Sequence, residues 1–388
     1  MLETEVAVIG GGIQGAGVAQ AAAAAGYEVM LFEKKAWGAG TSSNSSKLIH
    51  GGLRYLESGE LNLVRQNLDE RELLLRNAPD LVKPIPFYIP LYKDSKRPAW
   101  QIHIGLMLYR LLARFSRTSE FHRLDRRAWR YLDALKVHDL KAVFQYWDAQ
   151  TDDRMLTRAV VKSAMDLGAK AFCPAELIKG ERQAEGYKLL LTVKGKPVYC
   201  MAKTVINAAG PWVNDVQGRL DSTLPQPPIA LVRGAHIIIP GTLVKGIYYL
   251  QSPIDGRPFF ATPWRDNIMV GTTETEHTGS LDDVQASAEE IDYLQRSFAH
   301  HFPSHDHAVL DSFAGLRVLP VTEESTNKRS RETVYVQDSE ELPRCLAIYG
   351  GKLTGYRHTG EEALAKIRPT LGEREPLTDT RALRIKPA

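Results

Sequence analysis

The sequence predicts an α/β fold: a parallel-sheet nucleotide-binding domain assembled from separated segments and interrupted by a cap domain of antiparallel sheet. Three observations predict it. A wholly apolar run, Val6-Ala7-Val8-Ile9, leads straight into Gly10-Gly11-Gly12-Ile13-Gln14-Gly15. The same strand-then-glycine pattern returns at Thr204-Val205-Ile206-Asn207-Ala208-Ala209-Gly210. Between residues 233 and 275 the texture changes to short apolar runs separated by Pro, Gly, Asp and Asn.

Each element follows from local chemistry. An unbroken apolar run of four is what a strand covered on both faces needs. The Ala-rich stretch after it reads as a helix through Ala25, with Gly26 as its stop. Val29-Met30-Leu31-Phe32 is the second strand, and Glu33 sits at its carboxyl end. Leu61, Val64, Leu68 and Leu75 mark one face of a charged helix ended by Pro79. Thr151 to Leu167 reads as another, with Asp152 and Asp153 in the first turn and Gly168 as its stop. Pro211-Trp212 opens a helix after Gly210. Ile237-Ile238-Ile239, Phe259-Phe260-Ala261 and Ile268-Met269-Val270 are the antiparallel strands. Ser287 and Glu290 form a capping box for a helix carrying Ile291, Leu294, Phe298 and Phe302 up to Pro303. Residues 1–80, 150–222 and 311–388 are assigned to the nucleotide-binding domain, and 81–149 and 223–310 to the cap.

Composition narrows the function. The chain of 388 residues is 44% hydrophobic and 24% charged, which excludes a disordered, collagen-like or disulfide-stapled protein and suggests two or three domains. A net charge of +3 excludes a globally basic nucleic-acid binder. Cys173, Cys200 and Cys345 are odd in number and far apart, so neither disulfides nor a thiolate zinc site is expected. Met1-Leu2-Glu3-Thr4-Glu5 lacks the basic start of a signal peptide, and no run approaches the ~20 apolar residues that cross a bilayer. A cytoplasmic protein is expected, compatible with peripheral attachment to the inner face of the cytoplasmic membrane.

Gly10, Gly12 and Gly15 allow a tight turn and let backbone N–H groups at a helix N-terminus approach a pyrophosphate. Glu33 is placed to accept hydrogen bonds from an adenosine ribose and disfavours a 2′-phosphate, which argues against NADP. The motif fits NAD and FAD equally. A second constellation, Thr41-Ser42-Ser43-Asn44-Ser45-Ser46-Lys47-Leu48-Ile49-His50-Gly51-Gly52-Leu53-Arg54-Tyr55, can offer hydroxyl and backbone donors to a pyrophosphate, a ribityl chain and a flavin.

That string, continued by Leu56-Glu57, resembles the FAD-dependent glycerol-3-phosphate dehydrogenases of the aerobic, quinone-linked type and their oxidase relatives. Asn207 to Val213, Gly234-Ala235-His236-Ile237, Gly271-Thr272-Thr273, Gly315-Leu316-Arg317 and Gly350-Gly351-Lys352-Leu353-Thr354 extend the resemblance over almost the whole chain. Gly355 departs from it, standing where the family commonly has a second Thr and loosening the flavin-side loop. Longer members also continue into a helical domain beyond the position of Ala388.

The resemblance implies a Rossmann-like FAD-binding domain of the glutathione-reductase/D-amino-acid-oxidase type under a substrate cap. It implies oxidation of sn-glycerol 3-phosphate at C2 to dihydroxyacetone phosphate by hydride transfer to flavin N5, with quinone as acceptor. Gly10, Gly12, Gly15, Glu33, Thr41, Ser42, Ser45, Ser46, Lys47, His50, Gly51, Gly210, Trp212, Gly351, Leu353 and Thr354 are its cofactor-binding residues. Arg54, Tyr55 and Lys352 are expected to hold the phosphate, since a dianion in a partly dry pocket calls for several cations. His236 is expected to take the hydroxyl proton, with Arg317 stabilising the developing alkoxide or holding the central role itself. An amine or amino-acid oxidase of the same fold and a non-catalytic flavin-binding subunit are the alternatives.

Two further signals remain. His300, His301, His305 and His307 straddle a helix end and a proline with no thiolate nearby, which reads as a solvated helix exit; no metal is expected. Trp100, Ile104, Leu108, Leu111 and Phe115 recur at helical spacing inside residues 97–130, which hold eight Arg against Glu120 and Asp125. An amphipathic face on anionic lipid and a core-facing cap helix with a solvated basic side both fit that pattern.

Overall fold

The structure, a computed structural model, describes residues 1–221, 224–320 and 333–388. Its helices are α1 (Ile13–Ala24), α2 (Leu61–Asn77), α3 (Ala99–Leu112), α4 (Asp153–Asp166), α5 (Val213–Gly218), α6 (Ala288–His301) and α7 (Tyr356–Leu371). In the first of two sheets, Cys345–Tyr349, Lys196–Asn207, Leu2–Ile9, Val29–Phe32 and Lys170–Phe172 lie side by side, all parallel.

The unbroken apolar strands are explained by what covers them. Successive side chains point to opposite faces. Val6, Val8, Val29 and Leu31 therefore pack against α1, α4 and α7, while Ala7, Ile9, Met30 and Phe32 pack against the hairpin of Ala175–Gln183 and Gly186–Val193. Ile9 pairs with both Asn207 and Phe32, so three central strands end level and deliver Gly10, Glu33 and Ala208 to one rim. Carboxyl ends of parallel strands are where such sheets bind ligands.

The second sheet runs in the order Thr275–Glu276, Ile229–Pro240, Asn267–Gly271, Pro258–Trp264, Ile247–Gln251, Val82–Tyr92, Leu140–Thr151 and Leu48–Ile49. It is antiparallel as expected except where Ile247–Gln251 meets Val82–Tyr92 in parallel. Strand Asp311–Pro320, expected among the nucleotide-binding segments, pairs with Ile229–Pro240 over ten residues and so joins the second sheet. The expected boundary at 222/223 lies outside the described residues. Helix α6 begins with the anticipated capping box, Ser287 with Glu290, and buries Leu294 and Phe298 on this sheet with Ile237, Ile239 and Phe259.

Helix α3 resolves one of the two readings of its pattern. It buries Leu106 and Tyr109, each 1% exposed, whereas Trp100, Ile104, Met107, Leu111 and, just beyond the helix, Phe115 are all more than half exposed. Of the stripe, Trp100, Ile104, Leu111 and Phe115 therefore face outward while Leu108 is half-buried, so the core-facing reading fails for most of it.

Candidate active site

A continuous cavity of about 1190 Å³ runs from the rim of the first sheet to the underside of the second. At the rim, Gly10 has φ +111°, and a Cβ on Gly15 would fall 1.9 Å from the Gly10 carbonyl oxygen. Only glycine lets α1 start this close to the strand, which leaves its first N–H groups facing the cavity. Glu33 accepts from Gly11 N and Lys35 N at 2.7 Å each, so both carboxylate oxygens are fixed with further lone pairs to spare.

The hydroxyl run 41–46 is drawn taut between the two sheets. Thr41 Oγ1 donates to Leu316 O, Ser42 Oγ accepts from Ile13 N, and Ser45 bonds Asp153 through both its N–H and its hydroxyl. Ser46 Oγ lies 3.0 Å from His236 Nε2. The Lys47 ammonium turns away from the cavity to Asp153 Oδ1 at 2.7 Å and to Ser43 O. That ion pair is buried, and burial pushes the Asp153 carboxyl up despite the ammonium beside it.

His236 sits on Ile229–Pro240 opposite Gly271, where a Cβ would come within 2.2 Å of the imidazole. The missing side chain makes the slot, and Phe313 stacks on the ring at 4.9 Å. Burial, then the nearby Lys47 and Arg317 cations, pull the His236 pKa down to about 3, with the Gly234 backbone opposing. The imidazole is therefore neutral near pH 7, and the same burial and cations disfavour its protonation.

Beside it lies a cluster of charge. Arg317 donates to Glu274 Oε1 at 2.9 Å and to Thr273 O at 3.0 Å, and Arg54 reaches the same carboxylate at 3.4 Å. Lys352 Nζ stands 3.9 Å over the Tyr55 ring. Glu290, buried beneath, accepts from Thr273 Oγ1 at 2.7 Å and pairs with Arg233, which fixes the Thr272–Glu274 turn.

The cavity thus brings together Gly10, Gly12, Glu33, Thr41, Ser42, Ser45, Ser46, His50, Arg54, Tyr55, Gly210, Trp212, His236, Arg317, Gly351, Lys352, Leu353 and Thr354. Gly15 lies behind the turn, Lys47 faces the core, and Gly51 packs against Leu68 and Tyr109; none of these three lines the cavity. Glu274 lines it and was missed, although it directly follows Gly271-Thr272-Thr273. The histidine run points its rings at separate carbonyls: His301 to Gln251, His305 to Asp133 and His307 to Phe302. Gly355 has φ −92°, a conformation open to any residue, and its nearest neighbour would be Asn67 Oδ1 at 3.7 Å.

An extended dinucleotide fits this cavity. Beyond the glycine cradle and Glu33, two buried polar atoms on its wall, Gln14 Oε1 and Trp212 Nε1, have no hydrogen-bond partner among the described residues. A bound polar ligand would satisfy such groups.

A fold and cavity of this kind define a dinucleotide-binding protein, and the comparisons make it a flavin-dependent oxidoreductase. The family profile described as FAD dependent oxidoreductase matches residues 5–357. A glycerol-3-phosphate dehydrogenase of Synechocystis sp. is 35% identical, over 96% of this chain and 71% of its own. A D-erythritol 1-phosphate dehydrogenase of Brucella abortus is also 35% identical, over 93% and 73%. The structure of a glycerol-3-phosphate dehydrogenase from Bacillus halodurans complexed with FAD superposes with a TM-score of 0.78 at 26% identity, covering 99% of this chain and 68% of that one. The chain belongs to the FAD-dependent glycerol-3-phosphate dehydrogenase family, and its cofactor is FAD.

Proposed function

We propose that the protein oxidises sn-glycerol 3-phosphate to dihydroxyacetone phosphate. The observation that carries this reading is the convergence of Arg54, Arg317, Lys352 and Tyr55 beside a neutral, buried His236 in the cavity that takes the cofactor. When bound, FAD would supply the two-electron acceptor for the hydride that leaves C2. The rim residues would hold it, with Glu33 toward the adenosine ribose and the α1 N-terminus toward the pyrophosphate. Gly350 and Gly351, both at positive φ, turn the chain ahead of Lys352, where their N–H groups would be available to the flavin.

The guanidinium groups of Arg54 and Arg317 and the Lys352 ammonium bind the substrate phosphate, a dianion that competes with the single charge of Glu274 for the same N–H donors. His236 Nε2 accepts the C2 hydroxyl proton as the carbonyl forms, and Arg317 stabilises the alkoxide character that develops on the oxygen.

Electrons leave to a membrane quinone, and the outward stripe of α3 brings the protein to the bilayer. Trp100, Ile104, Met107, Leu111 and Phe115 insert among acyl chains while the Arg residues of 97–130 meet anionic headgroups. No helix among the described residues is long and apolar enough to cross a membrane.

Turnover on a panel of glycerol 3-phosphate, erythritol 1-phosphate, sarcosine and D-amino acids tests the reading. Preference for glycerol 3-phosphate is expected. Turnover of the amino substrates alone would overturn it, and preference for the longer polyol phosphate would keep the chemistry but change the substrate.

A further inference from the structure

The segment His50–Gly52, which carries a cavity-lining histidine, is gripped from two sides. On one side, His50 N donates to Thr354 Oγ1 at 3.2 Å, in the loop before α7. On the other, Gly51 N donates to the Tyr109 hydroxyl at 2.8 Å, and Tyr109 belongs to α3 of the cap. That hydroxyl in turn lies 2.9 and 2.8 Å from the two carboxylate oxygens of Asp148. Asp148 is held by Arg71 Nη1 at 2.5 Å, and Arg71, Tyr109 and Asp148 are all 1% exposed or less.

The direction of the chain is fixed. A phenol has one proton to give. Burial and the Asp148 charge raise the Tyr109 pKa, so the hydroxyl keeps that proton. With Arg71 holding the carboxylate in place, Tyr109 donates to Asp148, and a remaining lone pair accepts from Gly51 N–H. The fit at Gly51 is equally constrained, since a Cβ there would come within 2.6 Å of both Leu68 and the Tyr109 hydroxyl oxygen. A buried ion pair is a poor source of net stability, because apolar residues of similar volume serve as well. What Arg71 and Asp148 add is orientation, delivered through Tyr109.

We infer that Tyr109 is a positioning residue for the reaction: it sets how deeply His50–Gly52 sits against the flavin and joins cap helix and cofactor loop into one hydrogen-bonded unit. The inference rests on the proposed function and on the expectation that His50, which lines the cavity, is a cofactor-binding residue.

Tyr109→Phe removes the acceptor of Gly51 N–H while keeping the ring. Expected is a roughly tenfold weaker FAD affinity, the size of one lost hydrogen bond to a buried donor, with a changed visible flavin spectrum in the loaded protein. Leu106→Ala, on the same buried face of α3 but without the polar link, controls for loss of packing and is expected to leave both readouts unchanged. Unaltered affinity and spectrum in Tyr109→Phe, or equal changes in both variants, would overturn the inference. If Tyr109→Phe does not fold, Asp148→Asn keeps the shape of the site but replaces the carboxylate that accepts from the Tyr109 hydroxyl. A shifted spectrum is then expected, and an unshifted one counts against the inference. His50→Ala separates the two layers. If it leaves the spectrum untouched, the placement of the loop against the flavin fails; if it shifts the spectrum and Tyr109→Phe does not, only the positioning role fails.

Discussion

The hydroxyl of Ser46 lies 3.0 Å from Nε2 of His236, so the nitrogen that would receive a substrate proton is held in place by a residue of the cofactor loop. The loop of residues 41–46 and the strand that carries His236 are thereby aligned with each other, as the proposed roles of both require. His236→Gln should slow flavin reduction by ~10²–10⁴-fold, the usual worth of a positioned proton acceptor, with FAD retained. Ser46→Ala should cost less than about tenfold, because it removes an aligning bond and leaves the base. Stopped-flow reduction of the loaded variants reads both, and near-wild-type reduction in His236→Gln would assign the proton elsewhere.

Arg317 and Glu274 form the second test. Arg317→Ala should lower kcat/KM by roughly 10²-fold, the cost of a lost charge-assisted contact to a dianion, while FAD occupancy stays unchanged. Glu274→Gln removes the carboxylate that competes for the guanidinium groups, so inorganic phosphate should inhibit the variant at severalfold lower concentration. Equal loss of flavin and activity in Arg317→Ala would mean that this side chain holds the cofactor.

The cofactor cradle is tested at Gly15. Gly15→Ala places a Cβ 1.9 Å from the Gly10 carbonyl oxygen, a clash with backbone that no rotamer relieves. Folded protein without yellow colour is expected on purification. Gly355→Thr is expected to load FAD normally, because the backbone there already suits any residue.

What the sequence made legible follows from how local each signal is. The first β-α-β unit is written in residues 5–33, where strand, glycines, helix and acid fall in one continuous stretch, and the structure follows it closely. The resemblance places Lys47 among the cofactor residues, yet its partner Asp153 is 106 residues away and draws its ammonium into the core. Glu274 escaped because its meaning depends on Arg54 and Arg317, which reach it from other parts of the chain. Strand Asp311–Pro320 carries no local sign of its sheet, because its partner Ile229–Pro240 lies far upstream. The spacing along α3 gave its periodicity but not its orientation, which depends on what the opposite face, Leu106 and Tyr109, finds to pack against.

Acid should weaken the fold in a defined window. Burial drives the His301 pKa down to about 4 while its Nε2 bonds Gln251 O. Between pH 6.5 and about 4 the unfolded chain therefore carries a proton at this site that the folded one does not, and stability falls as pH drops through that range, by up to about 1.4 kcal/mol per unit from this group. His236 adds to the slope in the same sense. His301→Gln should flatten the fall by one proton in urea titrations across this range. An unchanged slope would mean that His301 titrates normally in the folded protein.

The outward face of α3 makes a direct prediction about membranes. The protein should sediment with vesicles containing anionic lipid, and less so as salt rises. Replacing Trp100, Ile104 and Leu111 together by Ser should abolish that binding, since each buried side chain contributes about 1.5–3 kcal/mol, and should leave flavin reduction in solution intact. Equal sedimentation of both proteins would remove the lipid assignment.

The central claim is that a phosphorylated polyol, held by Arg54, Arg317 and Lys352, gives its C2 hydride to the flavin while His236 takes the proton. Anaerobic mixing of the loaded protein with sn-glycerol 3-phosphate in a single turnover tests it most directly. The account predicts rapid bleaching of the yellow absorbance with one equivalent of dihydroxyacetone phosphate formed; absorbance that persists under saturating substrate would contradict it.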